Sequence, residues 1–290
     1  MNRSTDRLKV LVAGAGGQLG AVIAARAAAA GHDVVALARE ALDVRDHRAV
    51  MAAVADARAG VVVNCAADND VEGAEDHPAR AVEVNALAVR SLARAAAAIG
   101  ATLVHYSTDF VFDGLASEPY SEDDRPCPQS AYAASKLAGE WFAADAPRHY
   151  VLRVESLFGG PAARSSVDRI VTALSARRAA PVFVDRVVSP SYVEDVATAT
   201  LALLEREVAH GLYHCVNRGH ATWFEVGQKV ARLLGAPADL LTPVRMADLP
   251  LKARRPAFAA LSVEKLRRAG IDLPCWQDAL ARYLRRDSGR

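Results

Sequence analysis

Tyr132 and Lys136 stand four residues apart in Tyr132-Ala133-Ala134-Ser135-Lys136, so a helix there carries a phenol and an ammonium on one face. A free phenol ionises near pH 10 and is a poor acid–base group at neutral pH. A neighbouring ammonium stabilises the phenolate and lowers that value. Upstream lies His105-Tyr106-Ser107-Thr108-Asp109, where a hydroxyl at a strand end could hydrogen-bond an oxygen that gains charge as its carbon is attacked. Adjacent strand residues face opposite sides, so either Ser107 or Thr108 does this, not both. A Tyr–Lys pair alone is common on solvent-facing helices. The strand-end hydroxyl makes the set specific, and it suits proton transfer to a carbonyl being reduced.

A third motif supplies a partner for that chemistry. Gly14-Ala15-Gly16-Gly17-Gln18-Leu19-Gly20 follows the apolar run Leu8–Ala13 and precedes a helical pattern. Gly14, Gly17 and Gly20 let the turn tighten, let backbone approach a pyrophosphate, and let helix pack on strand. Gln18 and Leu19 then lie at the helix N-terminus, whose free N–H groups favour anions. The plain alternative is a tight turn. Its place between a strand and a helix favours a dinucleotide, whose positive ring in the oxidised form would lower the phenol further. The second strand ends Leu37-Ala38-Arg39, one Arg and no acid at a strand end where a site for the unphosphorylated cofactor usually has an acid. This points to NADPH, with NADH admitted as the lesser alternative; Arg39 as a solvated charge is the plain reading. Asp43 and Val44 are expected at the adenine edge. Ala66 and Ala67 are expected to form a flat wall after the third strand, with Tyr106 on the cofactor side of the fourth.

These motifs need a scaffold, and the pattern supplies one. Strands are expected at 8–13, 33–38, 60–64, 101–106 and 149–153, with helices at 17–30, 46–57, 78–99 and 129–144 between them. Strict alternation of this kind is an α/β fold, a Rossmann-like doubly wound parallel sheet. Residues 1–158 read as the dinucleotide-binding domain. Residues 159–290 read mainly as a smaller substrate lobe, with some segments returning to the first domain. Helices are expected there at 165–177, 193–206, 223–234, 263–269 and 276–286, and strands near 182–184 and 211–215.

The sequence resembles the extended short-chain dehydrogenases, and within them the dTDP-4-dehydrorhamnose reductase family. The likeness is carried by Gly17-Gln18-Leu19-Gly20, Ser107-Thr108-Asp109-Phe110-Val111-Phe112, and Tyr132 through Ser135-Lys136-Leu137-Ala138-Gly139-Glu140. Ser189-Pro190-Ser191, Gly211-Leu212-Tyr213-His214, Arg255-Pro256 and Leu273-Pro274-Cys275-Trp276 extend it over nearly all the chain. The resemblance implies Thr108 as the catalytic hydroxyl, Tyr132 as the acid and Lys136 as the ribose-binding group. It implies reduction of a nucleotide-linked 4-keto-6-deoxysugar, with Thr108, Asp109, Tyr132, Glu155 and Ser156 toward the substrate. Two departures stand out. Glu155-Ser156 replaces the family's Ser-Trp, so an aromatic wall is lost and a carboxylate appears; either the pocket takes another substrate, or Glu155 is a surface or paired acid. Ala38 stands where the family often has Asp, which reinforces NADPH. A dehydratase would need a Glu base where Phe110 stands, and an epimerase holding NAD sits poorly with Ala38. A different class, a cofactor-binding regulatory subunit without chemistry, is the remaining alternative.

Bulk properties narrow the field. The chain has 290 residues, 52% of them hydrophobic and 24% charged, ordinary for a soluble globular protein. With 35 basic against 34 acidic residues, and no basic stripe with interleaved aromatics, nucleic acid is not an expected partner. The four cysteines form no CxxC pair, so neither a disulfide framework nor a metal site is expected, and the setting reads as cytoplasmic. The polar start, Met1–Arg7, is no signal peptide. No apolar run reaches the roughly 18 residues of a membrane span. The 78–99 helix offers a face for a homodimer.

Overall fold

The computed structural model describes residues 7–161 and 164–287, so most of the polar N-terminal start lies outside the described residues. The first half alternates as its apolar runs demand: β1 (Lys9–Ala13), α1 (Gln18–Ala29), β2 (Asp33–Leu37), α2 (His47–Ala57) and β3 (Val61–Asn64). Then come a single helical turn, α3 (Gly73–Asp76), α4 (Pro78–Val82) and α5 (Ala88–Ala98). β4 (Thr102–Thr108), α6 (Ala131–Ala144) and β5 (His149–Val154) close the half. The second half contains β6 (Leu157–Phe158), α7 (Ser166–Ser175), β7 (Ala180–Phe183), β8 (Val187–Val188) and β9 (Ser191–Tyr192). It continues with α8 (Val193–Glu205), β10 (Gly211–His214), β11 (Ala221–Thr222), α9 (Trp223–Leu234), β12 (Leu241–Val244), α10 (Glu264–Arg268) and α11 (Trp276–Asp287).

Six strands form the central sheet in the order β10-β5-β4-β3-β1-β2, every pairing parallel. Chain direction across the sheet reverses beside β1, and in such sheets ligands bind outside the strand ends at that point. The strands are apolar on both faces because both are covered. Val10, Val12, Val61 and Val63 pack on one side with α1 and α8. Leu11, Ala13 and Val62 face the other, with α2 and α5. The period of two in the pleat thus sorts alternate residues into two cores.

Three expectations are corrected. The single helix expected at 78–99 is interrupted by a wide π-type turn at Glu83–Leu87, which carries Asn85 into the interior. Asn85 accepts from the Asp68 backbone N–H at 2.9 Å, and its amide donates to the Asp68 carbonyl and to Ser135 Oγ, each at 3.0 Å. The fourth strand runs on to Thr108 rather than ending at Tyr106, so Ser107 and Thr108 are held in the ladder opposite Arg153 and Val154. The helix bearing Tyr132 begins at Ala131, not Gln129, because the Ser130 hydroxyl caps it by accepting from Ala133 N–H at 3.2 Å. No helix among the described residues is long and apolar enough to cross a membrane. No group of His, Cys, Asp and Glu among them could hold a metal.

Candidate active site

The turn after β1 is built for close backbone approach. Gly14 has φ +76°, and a Cβ there would lie 2.6 Å from the Ala66 backbone N, so the turn lies against the loop after β3 as only glycine allows. Gly17 caps α1 without a side chain, which leaves the first-turn amides at Gln18 and Leu19 open toward the cleft. Gly20 does not line the cleft. A Cβ there would meet the Gly14 carbonyl at 2.3 Å, so its part is to let α1 pack on the turn. The Gln18 side chain is committed elsewhere and donates to the Gly159 carbonyl at 2.8 Å.

From this turn a cleft of about 680 Å³ runs to the end of β4. Arg39, Asp43 and Val44 border one end, and Ala66 and Ala67 form a wall, as expected. Asp43 is bound to Arg45 at 2.6 Å, and hydrogen bonds from Arg45 hold its carboxyl down at about 2. Glu40 also borders this end, a position that nothing in the sequence pattern beyond Arg39 marks. A flat wall, an open helix N-terminus and an exposed cation beyond them fit a phosphorylated dinucleotide.

At the other end, α6 and β4 bring Thr108, Tyr132 and Lys136 to one wall, all three buried. Lys136 Nζ donates to the Tyr106 carbonyl at 2.6 Å. Tyr106 therefore serves the site through its main chain, for its own hydroxyl is bonded to Thr200 Oγ1 at 2.7 Å on the far side of the sheet. Burial pushes the Lys136 ammonium down to about 8, against the pull of Glu140. The expected lowering of the Tyr132 phenol is not found in the protein alone. Burial drives it upward, with Thr108 opposing, because the Lys136 ammonium is turned to the carbonyl. The phenol is thus held protonated in the protein alone. Tyr132 also reaches Asn69 Oδ1 at 3.4 Å, a contact the sequence did not signal.

The choice between the two strand-end hydroxyls is made by the pleat. Ser107 donates to Glu140 Oε1 at 2.5 Å, in a network where Arg153 binds both Glu140 oxygens at 2.8 Å. Thr108 donates to Asp109 Oδ1 at 2.9 Å and accepts from Phe110 N–H at 3.3 Å. The Phe110 ring stands edge-on to Tyr132, centroids 5.5 Å apart.

Glu155 is not a surface acid. It is 1% exposed, lies in the cleft wall, and accepts from Ser189 N–H through Oε2 at 2.7 Å. Ser156 beside it is held at φ +45°, a conformation that side chains other than glycine's adopt at a cost. The sequence reading missed Arg186, buried in the same wall, because nothing local distinguishes it from a surface cation.

A profile of the RmlD substrate binding domain matches residues 8–288. The dTDP-4-dehydrorhamnose reductase of Mycobacterium tuberculosis is 37% identical over 282 residues, covering 95% of this chain and 92% of that protein. A probable dTDP-4,6-dihydroxy-2-methyloxan-3-one 4-ketoreductase of Streptomyces antibioticus is 38% identical over 278 residues, covering 94% and 93%. Among solved structures, a dTDP-4-dehydrorhamnose reductase from Bacillus anthracis in complex with NADP superposes with a TM-score of 0.92 at 29% identity, covering 97% of this chain and 99% of that one.

Proposed function

The chain belongs to the RmlD substrate binding domain family, and from that premise we propose that it is an NADPH-dependent reductase of a 4-keto group on a nucleotide-linked 6-deoxysugar. The observation that carries the proposal is the convergence of Thr108, Tyr132 and Lys136 on one wall of the cleft that begins at the glycine turn. The relatives named as dTDP-4-dehydrorhamnose reductases support the choice of sugar nucleotide. Residues 1–158 would hold the dinucleotide and residues 159–290 would mainly shape the sugar end.

When bound, the reduced nicotinamide supplies the hydride to the carbonyl carbon. Gly14 and Gly17 and the open first turn of α1 would hold the pyrophosphate, and Arg39 would meet the 2′-phosphate. Lys136 would hold the ribose hydroxyls. Thr108 turns its hydroxyl proton from Asp109 to the substrate oxygen and fixes its position. Tyr132, held protonated, gives its proton to that oxygen as negative charge develops. A dehydratase reading lacks its base, since Phe110 fills that slot with an aromatic ring packed on Tyr132. The test is NADPH consumption by the purified protein with dTDP-4-dehydrorhamnose, product identified by mass spectrometry. No consumption by protein that binds NADPH would overturn the assignment.

A further inference from the structure

Three buried side chains in the cleft wall each keep one polar atom without a hydrogen-bond partner among the described residues: Asp109 Oδ2, Glu155 Oε1 and Arg186 Nε. They are 3%, 1% and 9% exposed, and all three line the cleft that holds Thr108 and Tyr132. A buried polar atom left unpaired is costly, so three in one wall form either a defect or a surface shaped for a polar ligand.

They are joined to the reacting end. Asp109 takes the Thr108 hydroxyl on Oδ1 at 2.9 Å and faces Arg186 Nη2 from Oδ2 at 3.7 Å. The Arg186 guanidinium lies over the Phe110 ring, 5.0 Å from its centroid, and that ring packs on Tyr132. Glu155 is fixed from behind by Ser189 N–H on Oε2, so Oε1 is the oxygen left free.

We propose that Glu155 is a specificity-determining residue, which with Arg186 and Asp109 forms a polar wall that reads the ring hydroxyls of the sugar beside its carbonyl. Two carboxyls share one guanidinium here, so only one of them is favoured as an anion. Burial and the Asp109 charge hold the Glu155 carboxyl well above the usual carboxylate range. Asp109 then carries the charge opposite Arg186, and neutral Glu155 offers an O–H donor from Oε1. Each of these atoms is itself covered in the unliganded protein, so a sugar reaches the two donors, Glu155 Oε1 and Arg186 Nε, and the acceptor, Asp109 Oδ2, when the side chains turn into the cleft that they line. That pattern suits hydroxyls and ring oxygens, and a neutral Glu155 adds no repulsion toward a nucleotide's phosphates. It also takes over a positioning task that the missing aromatic at Ser156 would have met by contact area.

The inference rests on the reductase reading, and the test separates the two. Initial rates are measured for the wild type, Glu155→Ala, Glu155→Gln and Arg186→Gln with dTDP-4-dehydrorhamnose and with its 2-deoxy and 3-deoxy counterparts. NADPH-dependent shifts in Tm report folding and cofactor binding for each variant. The wild type is expected to favour the fully hydroxylated sugar over at least one deoxy counterpart by about tenfold or more in kcat/KM, as a site built to bond a hydroxyl does. Glu155→Ala should shrink that ratio below about threefold, chiefly through KM, while Glu155→Gln, which keeps a donor in place, should retain most of it. Should Glu155→Ala fail to fold, Arg186→Gln carries the same expectation of a shrunken ratio. Reduction of all three sugars at equal efficiency by the wild type, or a ratio unchanged in folded Glu155→Ala and Arg186→Gln, overturns this inference alone. Failure of the wild type to reduce any of the three overturns the reductase reading and this inference with it.

Discussion

Tyr132→Phe removes a proton donor and leaves the cofactor's contacts in place, so turnover should fall by a factor of about 10² to 10⁴ while the NADPH Kd stays within about twofold. Steady-state rates and fluorescence titration check both halves, and near wild-type turnover would place the acid elsewhere. Lys136 gives a pH signature. In the folded protein its ammonium is pushed down to about 8, whereas an unfolded chain holds that proton to about 10.4. Its charge is therefore present below about pH 8 and lost above it, so NADPH affinity should decline as pH rises through that value. For stability the sign is the reverse. Burying the ammonium is a penalty, on the order of 3 kcal/mol, present in full below about pH 8 and relieved as pH climbs toward 10.4. Glu140 and Cys65 limit it. Lys136→Met should accordingly be more stable than the wild type at pH 7, with the margin narrowing at pH 9.5 in thermal melts. Arg39→Ala should weaken NADPH by about 1–3 kcal/mol and leave NADH nearly unchanged; equal losses for both would mean Arg39 does not meet the 2′-phosphate.

At the scale of elements, two close approaches position the site. Gly20→Ala would place a methyl group 2.3 Å from the Gly14 carbonyl, and backbone cannot yield there without opening the turn. The variant should lose about 1–3 kcal/mol of stability and most of its NADPH affinity together. Full affinity in a stable Gly20→Ala protein would show that the turn relaxes freely. The second approach joins α6 to the π turn, where a Cβ on Gly139 would fall 2.1 Å from the Asn85 carbonyl. That turn lets Asn85 brace both the loop after β3 and Ser135, one residue before Lys136. Its cause is a buried polar side chain needing partners, which a helical pattern of apolar residues does not display.

Over the whole molecule, the two halves of the chain are one folded unit. β10 extends the sheet beside β5, α8 packs on α1, and Glu194 of α8 holds Arg26 of α1 at 2.7 Å. A clasp of Arg255 and Lys252 on Glu72 and Asp76 joins them again, with the Arg255 and Lys252 pairs both at 2.5 Å. Thermal unfolding should therefore show a single transition, and NADPH at 100 times its Kd should raise stability by about 2.7 kcal/mol across it. Two separate transitions in calorimetry would mean that residues 1–158 and 159–290 unfold independently.

The features legible in the sequence are those with a local cause. Apolar runs bounded by glycine name the strands, the 14–20 glycines name the turn, and the four-residue step from Tyr132 to Lys136 places two groups on one face whatever surrounds them. The pleat leaves one of Ser107 and Thr108 for the substrate and the resemblance names Thr108; that Ser107 is committed to Glu140, itself held by Arg153, is a tertiary fact. Tertiary structure alone decided the rest. Burial turned Lys136 toward a carbonyl and raised the Tyr132 phenol, reversing an expectation drawn from spacing. It also brought Asp109, Glu155 and Arg186 to one wall from three separate segments. Charge, desolvation and pairing depend on what lies within a few ångströms in space, and residues distant in sequence carry no local mark of meeting there.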